Sequence, residues 1–444
     1  MALIPIETRY RTEMADLFEE EARLRQWMRV EAALSRAHAK LGHIPKDAPS
    51  AIEAGAKKVS LSRVQAIEAE THHDLMAMVK ALTEQSGAAG AHVHLGATSY
   101  DIEDTATALT LRDAGGMIKK RALELRAVLR KLSLEHAGRV CVGRTHGQHA
   151  VPTTYGMKFA LYHAAMGRHL ARLDAAIERV SYGKMSGATG TMATFGPDAF
   201  KLEALVMADL GLSADPVSTQ IVMRDRHAEL LFTLALIATT IEQAAQEIRN
   251  LQRTEIGEVA EAFGAKQVGS STMPQKRNPH RSERLCSLAR VVRAQIPIAM
   301  ENIPSEHERD LTNSAAERYL FPIVFCTTDF MLLEMTALLS GLQFFPEAIA
   351  RNLALTKGGI LAERVMMALA AKGMGRQEAH ELLRKAALES AEKNKPLPEI
   401  LRSKPDVSRL LEPAELSALF DPSTYIGQAS QIVKRAVNDK DAKE

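Results

Sequence analysis

The chain has 444 residues, of which 46% are hydrophobic and 25% charged, and its formal net charge is +2 at pH 7. This balance argues against a nucleic-acid-binding protein, which would carry a basic stripe or patch. The first residues lack the charged and apolar regions of a secretory signal. The sequence contains no run of about eighteen apolar residues that would predict a membrane span. Its three cysteines are widely spaced and form no CxxC motif. We therefore expect a soluble cytoplasmic protein without disulfides.

The N-terminal part, up to about residue 105, carries two histidine-containing stretches, THHD (71–74) and HVH (92–94). Both could be read as metal ligands. No further acidic or cysteine partner completes a site with suitable spacing, so we predict no metal.

The stretch TSYDIEDTA (98–106) predicts the start of a helix. Thr98 and Asp101 have the spacing of a capping box, and acidic side chains in a first turn suit the helix dipole. Capping alone accounts for this pattern. A helix N-terminus with hydroxyl groups is also a ready site for an anion.

Helical spacing dominates the middle of the chain, and strand signals are short and isolated. One apolar stripe predicts a single helix from about 225 to 262; its members are Leu230, Leu234, Ile237, Ile241, Ala244, Ile248 and Leu251. A second stripe runs from Ile118 to Leu132, after a glycine pair at 115–116 that could bend the helix. We predict a mainly α fold built on a bundle of long antiparallel helices, whose remaining apolar stripes other subunits would cover.

We place three helical domains along the chain: an N-terminal domain at 1–106, the central long-helix bundle at 107–350 and a C-terminal domain at 351–444. The last has shorter helices punctuated by proline and glycine. The glycine-rich stretch SGATGTMATFG (186–196) does not follow a strand as a GxGxxG motif would, and we expect a tight turn between helices.

GRTHGQHAVPTTYG (143–156) holds His146 between two glycines, ahead of a helix that we expect to begin near Pro152. A lone histidine is more often structural than catalytic. The flanking glycines, the nearby His149 and the helix entrance favour an exposed imidazole, whose unperturbed pKa of about 6.5 suits proton transfer at neutral pH.

GSSTMPQKRNP (269–279) lies in a predicted loop of about fifteen residues. Gly264 would end the long helix, and Asn278 would cap the next one ahead of Pro279. Loops of this length are often lids or binding loops, although a flexible connection with solvating serines is the plainer interpretation. The spacing excludes a P-loop, an SxxK nucleophile and a GxSxG elbow. Serine alone is a poor base, so any chemistry here needs partners from elsewhere in the chain.

SEHERDLTNSAAER (305–318) has two readings. The charges could simply solvate a helix face. Alternatively, Arg309, Ser314 and Arg318 could form a phosphate pocket, because guanidinium groups match phosphate oxygens.

Several of these stretches together carry a resemblance. GSSTMPQKRNP resembles the signature loop of the fumarase/aspartase superfamily, and TSYDIEDTA and GRTHGQHAVPTTYG resemble its first and second characteristic regions, in the same order. RY at 9–10, THHD, GRTHG and HERDLTNSAAER are similar to the branch that acts on purine nucleotides. The resemblance covers residues 9 to about 350 and is weakest beyond. It implies a homotetramer, no cofactor, and a β-elimination that releases fumarate from a nucleotide substrate.

The resemblance also implies roles for individual residues. Ser270 would be the base, with Ser271 as the alternative, and His146 the acid that protonates the departing nitrogen. Lys276 and Asn278 would stabilise the negative charge that develops on the substrate carboxylate. His73 would be a second active-site histidine, oriented by Asp74. Further contacts would be His94 in the pocket, Thr98, Ser99 and Gln220 on the succinyl arm, and Arg9, Tyr10, Arg309, Ser314 and Arg318 on the phosphate.

Two positions depart from the family pattern: Tyr100 stands where a small hydroxyl residue is usual, and His72 where arginine is usual. A helical region of about 35 residues separates Thr98 from His146, so we expect active sites shared between subunits. Two alternatives stay open. One is another superfamily lyase, such as argininosuccinate lyase or carboxymuconate cycloisomerase, whose substrates carry no phosphate; the other is a non-catalytic protein with the same fold.

Overall fold

The computed structural model describes residues 4–264 and 266–438, and most of them are helical. The first helices are α1 (Glu20–Lys40), α2 (Ala48–Ala56), α3 (Leu61–Thr71), α4 (Asp74–Gln85), α5 (Ser99–Glu135), α6 (Tyr155–Val180), α7 (Ala199–Leu210), α8 (Asp225–Leu251) and α9 (His280–Ala294). They are followed by α10 (Ile296–Glu301), α11 (Thr312–Ser340), α12 (Pro346–Ala354), α13 (Ala362–Ala371), α14 (Arg376–Glu392), α15 (Leu397–Arg402), α16 (Pro405–Ser408), α17 (Pro413–Ala418) and α18 (Ala429–Val437). The predicted mainly α class is confirmed.

Strands in the described residues form three small two-stranded sheets. The strands are β1 (Val140–Thr145), β2 (Gln148–Thr154), β3 (Tyr182–Gly183), β4 (Ser213–Ala214), β5 (Val259–Ala260) and β6 (Gln343–Phe344). β1 pairs with β2 and β5 with β6 in antiparallel fashion, whereas β3 and β4 are parallel.

The chain divides into two compact units. The first comprises Met1–Leu123, His169–Ile241 and Ser287–Glu334, and the second Glu124–Arg168, Glu242–Cys286 and Met335–Glu444. The long helices α5, α6, α8 and α11 each supply residues to both. The three-domain division made from the sequence stays a prediction.

Each unit has its own apolar core. In the first unit, Leu34 and Trp27 of α1 pack in a cluster with residues of α4, α5 and α7, among them Met78, Leu109 and Leu202. The C-terminal helices of the second unit enclose a separate cluster, from Val365 to Leu416. All three cysteines are buried free thiols.

Both apolar stripes found in the sequence are buried. Every named member of the α8 stripe, from Leu230 to Leu251, is at most 5% exposed, and the α5 stripe from Ile118 to Leu132 is at most 8% exposed. The glycine pair at 115–116 does not interrupt α5, which runs through 37 residues.

The predicted continuation of the long helix to Gly264 is wrong, because α8 ends at Leu251. Gly257 has a positive φ of 62°, and the Glu258 amide turns back to donate to the Leu251 carbonyl at 3.0 Å. Val259 is then buried in strand β5. A helix cannot continue through a left-handed glycine, so the apolar pattern beyond it belongs to a strand.

The helix expected near Pro152 also begins later, since Pro152 lies within β2 and α6 starts at Tyr155. Pro152 is paired with Val142 at the edge of a two-stranded sheet, where a missing amide hydrogen is tolerated.

In the part of the chain that the structure describes, two helices, α8 and α11, are long and apolar enough by length and composition alone to cross a membrane. In each, 61% of the most apolar window is buried inside the chain. That burial is typical of core helices in soluble proteins, so their hydropathy is explained by packing.

Candidate active site

A polar cavity of about 680 Å³ lies within the first unit. Seven residues that the sequence singled out line it: His73, Asp74, Ser99, Gln220, Arg309, Ser314 and Arg318. The lining also includes Glu68, His72, Tyr100, Glu103, Thr189 and His307, to which the sequence assigned no binding role. The fold thus collects residues from five separate stretches of the chain around one space.

Arg309 is held on two sides inside this cavity. Its Nη1 donates to Gln220 Oε1 at 2.6 Å, and its guanidinium carbon lies 3.4 Å from the ring centroid of Tyr100. Gln220 in turn donates from Nε2 to the Ala188 carbonyl at 3.0 Å. Tyr100 therefore provides a stacking surface for Arg309, an arrangement that a small hydroxyl residue at this position would not give.

Arg318 pairs with the carboxylate of Asp74 across the same cavity. Burial acts to raise the pKa of Asp74, but hydrogen bonds from Arg318 and the Leu75 amide outweigh it, and the pKa is lowered. The expectation that Asp74 orients His73 stays a prediction: His73 Nδ1 lies 3.8 Å from Asp74 Oδ1, within ion-pair distance. The same nitrogen accepts the Met76 amide at 3.4 Å, as the N-cap of α4.

Glu103 is the most perturbed carboxyl group of the cavity. Burial raises its pKa to about 8, and the negative charges of Asp74 and Asp104 act in the same direction, against Arg309 and Arg318. The group is therefore mostly protonated at pH 7. A neutral carboxyl group next to two arginines leaves their charge available to a bound anion.

A second cavity, of about 250 Å³, shares Tyr100, Glu103, Ser314 and Arg318 with the first. Its other walls combine apolar side chains, among them Trp27 and Phe321, with charged ones such as Arg23 and Glu317.

An ion-pair cluster around the buried Arg224 ties α5 to α11 and lines the second cavity. Arg224 donates to both carboxylate oxygens of Asp104 at 2.8 Å and to Glu317 at 3.0 Å. Asp104 lies one residue from Glu103 and Glu317 one residue from Arg318, so this cluster fixes the spacing of two walls. All charges in it are paired, as buried charges require.

The other predicted residues of the first unit, Thr98, His94, Arg9 and Tyr10, are not among those that line this cavity. Thr98 precedes α5, and its backbone amide donates a hydrogen bond to Asp101 Oδ2 at 2.9 Å. This is the hydrogen bond that the carboxylate accepts in the predicted capping box. His94 donates from its amide to buried Glu31 at 3.0 Å, and its Nδ1 lies 2.6 Å from the same carboxylate. Arg9 is exposed, and Tyr10 packs against Phe330 with ring centroids 5.0 Å apart.

In the second unit, His146 occupies the tip of the β1–β2 hairpin. Thr145 pairs with Gln148, so His146 and Gly147 form a two-residue turn, and both have positive φ, 53° and 74°. This is the signature of a type I′ turn, in which asparagine, aspartate or glycine is the usual residue at the first position and histidine is uncommon. The turn leaves His146 exposed.

The base of this hairpin is anchored on Glu258, whose side chain is completely buried. Arg144 pairs with it, the Tyr155 hydroxyl donates to it at 2.6 Å, and Asn352 Nδ2 donates at 2.8 Å. Burial alone would raise the pKa of Glu258, but these hydrogen bonds together lower it. A charged carboxylate thus fixes the strand that leads into His146.

The stretch 269–279 forms a loop whose ends are joined. The Gly269 carbonyl accepts Asn278 Nδ2 at 2.8 Å, with a ring nitrogen of His280 at 3.1 Å. A Cβ on Gly269 would lie 2.1 Å from the Lys276 carbonyl oxygen, so only glycine fits there. The sequence predicted Asn278 as the N-cap with Pro279 at the first helical position, but α9 begins at His280, and the Asn278 side-chain NH₂ group donates across this loop.

Residues 271–277 of this loop are exposed, and Ser270 is half-buried at one side of its neck. Ser270 Oγ accepts the amides of Thr272 and Met273 at 3.3 and 3.1 Å. The lone pairs of the hydroxyl oxygen accept these two amide hydrogens, which fixes the orientation of the Ser270 side chain.

Backbone conformation adds a signal that the sequence could not give. Among the described non-glycine residues with positive φ, four are histidines: His72, His94, His146 and His307. Histidine is enriched in this region, but such positions are still uncommon and cost energy. His72 and His307 line the polar cavity, so both are site candidates that sequence reasoning missed.

The predicted site residues thus fall into two groups. Eleven belong to the first unit, and Ser270, Lys276, Asn278 and His146 belong to the second. Within the described residues, no three His, Cys, Asp or Glu side chains gather as they would around a metal ion.

This fold, with these sites, defines a class of lyase. A family model described as "Lyase" matches residues 8–294, and one described as "Adenylosuccinate lyase C-terminus" matches residues 358–436. The crystal structure of 3-carboxy-cis,cis-muconate lactonizing enzyme from Pseudomonas putida has a TM-score of 0.91 and 35% identity, covering 98% of each chain. The fold is that of the fumarase/aspartase superfamily.

Two relatives are more similar in sequence. Adenylosuccinate lyase from Pyrococcus abyssi is 53% identical and covers 99% of this chain and 98% of its own length. Adenylosuccinate lyase from Pyrococcus horikoshii is 52% identical, with 98% of each chain covered. The chain belongs to the adenylosuccinate lyase family, and the superfamily resemblance of its motifs is confirmed.

Proposed function

We propose that this protein releases fumarate from adenylosuccinate to give AMP, and from the succinylaminoimidazole carboxamide ribotide of purine biosynthesis. Family membership and one structural observation support this proposal. Arg309, Ser314 and Arg318 line one polar cavity together with Gln220 and Ser99. A substrate with a phosphate at one end and a succinyl group at the other matches such a lining.

The phosphate end is assigned to Arg309, Ser314 and Arg318. Two guanidinium groups and a hydroxyl supply the donors that phosphate oxygens need, and Arg318 would exchange its Asp74 partner for the phosphate. Arg9 and Tyr10 are proposed to complete this end, by resemblance.

The succinyl end is assigned to Thr98 and Ser99, which stand at the N-terminus of α5. The amides and positive dipole end of a 37-residue helix stabilise a carboxylate there. Gln220, His73 and His94 are proposed as further contacts at this end.

The reaction is a β-elimination. Ser270 acts as an alkoxide, its hydroxyl proton having passed to solvent, and its Oγ takes the proton from the carbon next to a succinyl carboxylate; the electron pair forms the new C=C bond, and the C–N bond breaks. His146 gives a proton to the departing nitrogen, so that fumarate and AMP are released. The exposed hairpin tip suits His146 to this role, since a general acid must reach the substrate.

Serine can remove such a proton only if the anion that forms is stabilised. The carboxylate takes up the extra negative charge, and the ammonium of Lys276 and the amide of Asn278 are proposed to stabilise it. Closure of the 269–279 loop over the substrate would exclude water and strengthen these interactions.

We also propose a cytoplasmic homotetramer with shared active sites. Along the chain, the whole of α5 separates Thr98 from His146, and a helix of 37 residues extends roughly 55 Å. One substrate does not span such a length. Different subunits would then supply the two residues to one site.

The direct test is the absorbance change on mixing the pure protein with adenylosuccinate. Ser270→Ala should abolish turnover and leave substrate binding nearly unchanged; Ser271→Ala is the matched control and should stay active. A Ser270→Ala variant with the wild-type kcat would contradict the assignment of the base. No turnover by the wild type would contradict the function itself and favour a non-catalytic protein of this fold.

The similarity to a muconate lactonizing enzyme makes a second lyase activity worth testing. Its substrate carries no phosphate, so Ser314→Ala and Arg318→Ala should barely affect that reaction. For adenylosuccinate, the same variants should raise KM by about tenfold or more, because each removes a phosphate donor.

A further inference from the structure

Asp101 joins two segments of the first unit through one buried carboxylate. Its oxygens accept the Thr98 amide at 2.9 Å, the Ser186 amide at 2.9 Å and the Gly187 amide at 3.2 Å. Lys184 Nζ donates to the same carboxylate at 2.5 Å, and both side chains are 0% exposed. The start of α5 and the glycine-rich turn at 186–190 are therefore held by one charged pair.

Lys184 is itself fixed from α5. The Thr105 hydroxyl bonds both the Lys184 amide and the Lys184 carbonyl at 3.0 Å. Thr105 and Asp101 are four residues apart, so they lie on the same face of the helix. The backbone and the side chain of Lys184 thus have fixed positions relative to the N-terminus of α5.

The glycine-rich turn reaches the polar cavity on its other side. Ala188 and Thr189 line the cavity, and the Ala188 carbonyl accepts Gln220 Nε2. A Cβ on Gly190 would lie 2.0 Å from the Ser218 carbonyl oxygen, so the turn packs directly against the segment that leads to Gln220. The Oε1 atom of Gln220 in turn accepts a hydrogen bond from Arg309 Nη1.

A continuous path of hydrogen bonds therefore runs from Thr98, through Asp101 and the turn, to Gln220 and Arg309. Thr98 belongs to the proposed carboxylate site and Arg309 to the proposed phosphate site. Stability alone does not require a charged pair at the start of this path, since an apolar pair of the same volume is often at least as stabilising as a buried ion pair.

We propose that the buried Asp101–Lys184 pair is a positioning element that sets the carboxylate-binding N-terminus of α5 against the glycine-rich wall of the cavity. Neither side chain touches the substrate. The pair acts through the Thr98 amide and the 186–190 turn, and it determines the affinity for the dicarboxylate part of the substrate. This inference rests on the proposed function.

Asp101→Asn tests it, because asparagine has nearly the same shape but replaces one acceptor oxygen by an NH₂ group. That group would face an amide donor, so either Thr98 or the turn is released. We expect the inhibition constant of fumarate to rise about tenfold or more and kcat to fall. The inhibition constant of AMP should change less than about twofold, since Arg309 alone of the three proposed phosphate contacts on residues 305–318 lies on this path, and Ser314 and Arg318 do not.

Two further variants keep the test decisive. Lys184→Met leaves every backbone bond to Asp101 in place but removes its counter-charge, and should weaken fumarate binding in the same selective way. Glu203→Gln is the matched control: Glu203 is also buried and accepts the neighbouring Met185 amide at 3.1 Å, but does not join it to Thr98. It should leave both inhibition constants unchanged even if thermal stability falls.

Equal changes for fumarate and AMP, or folded Asp101→Asn and Lys184→Met proteins with wild-type inhibition constants, would overturn the inference. A merely structural role would lower thermal stability and the active fraction while leaving the ratio of the two constants at its wild-type value. Failure of the wild-type protein to cleave adenylosuccinate would contradict the proposed function. Failure of the positioning role would appear only in the inhibition constants of the variants, so the two results can be told apart.

Discussion

Replacing Glu103 by glutamine should change the pH dependence of stability in a predictable direction. Burial and two neighbouring carboxylates raise the pKa of Glu103 to about 8, from 4.5 for the ordinary group. The folded protein therefore binds more protons here than the unfolded chain between these values. Stability that is fully present below about pH 4.5 is lost as the pH rises through about 8.

The magnitude follows from the size of the shift. Each pKa unit corresponds to about 1.4 kcal/mol, so a shift from 4.5 to about 8 gives a loss on the order of 5 kcal/mol once the group is fully ionised. Glu103→Gln has the shape and neutral charge of the protonated form. It should match the wild type near pH 5 and be more stable by a few kcal/mol at pH 9.

Denaturant unfolding of both proteins at one-unit steps from pH 5 to pH 9 measures this difference, because all other titrating groups are common to both. The exposed Glu84 is the control. Its pKa is lowered chiefly by a hydrogen bond from Arg63, so Glu84→Gln should not gain stability relative to the wild type as the pH rises. Parallel stability curves for wild type and Glu103→Gln would refute the reasoning.

Three other variants test separate parts of the structure. Gly269→Ala places a Cβ 2.1 Å from the Lys276 carbonyl oxygen, so the loop neck must open, and kcat should fall about 100-fold or more while the melting temperature changes little. Glu258→Gln removes a carboxylate whose pKa is lowered in the folded protein. In thermal melts the variant should be less stable than the wild type by the largest amount at neutral pH, and this difference should become smaller as the pH falls below about 4.5. Tyr100→Ser should raise KM several-fold, because it removes the ring beneath Arg309. Tyr100→Phe retains the ring and should have a KM close to that of the wild type. Equal KM values for the two Tyr100 variants would contradict the stacking role.

The sequence by itself determined the class of the fold and the location of its long helices. Apolar residues at steps of three and four needed a core, and every named position from Leu230 to Leu251 is buried. The motif at 269–279 likewise marked a loop, because glycine and proline end helices in any context.

The ends of these elements depended on tertiary contacts. The pattern after Leu251 still looks helical, yet β5 pairs with β6 more than eighty residues further along the chain. No local signal contains that partner. The hairpin that presents His146 is similar, since its turn places a histidine where asparagine or glycine would be the usual choice.

The electrostatics of the candidate site also emerged only from the fold. Asp74, which the sequence placed beside His73, also pairs with Arg318, which is 244 residues away in the sequence. The pKa of Glu103 is raised by burial and by charges that other helices bring close. Sequence determines which groups are available, whereas their distances and their exclusion from water decide which of them pair and which stay protonated.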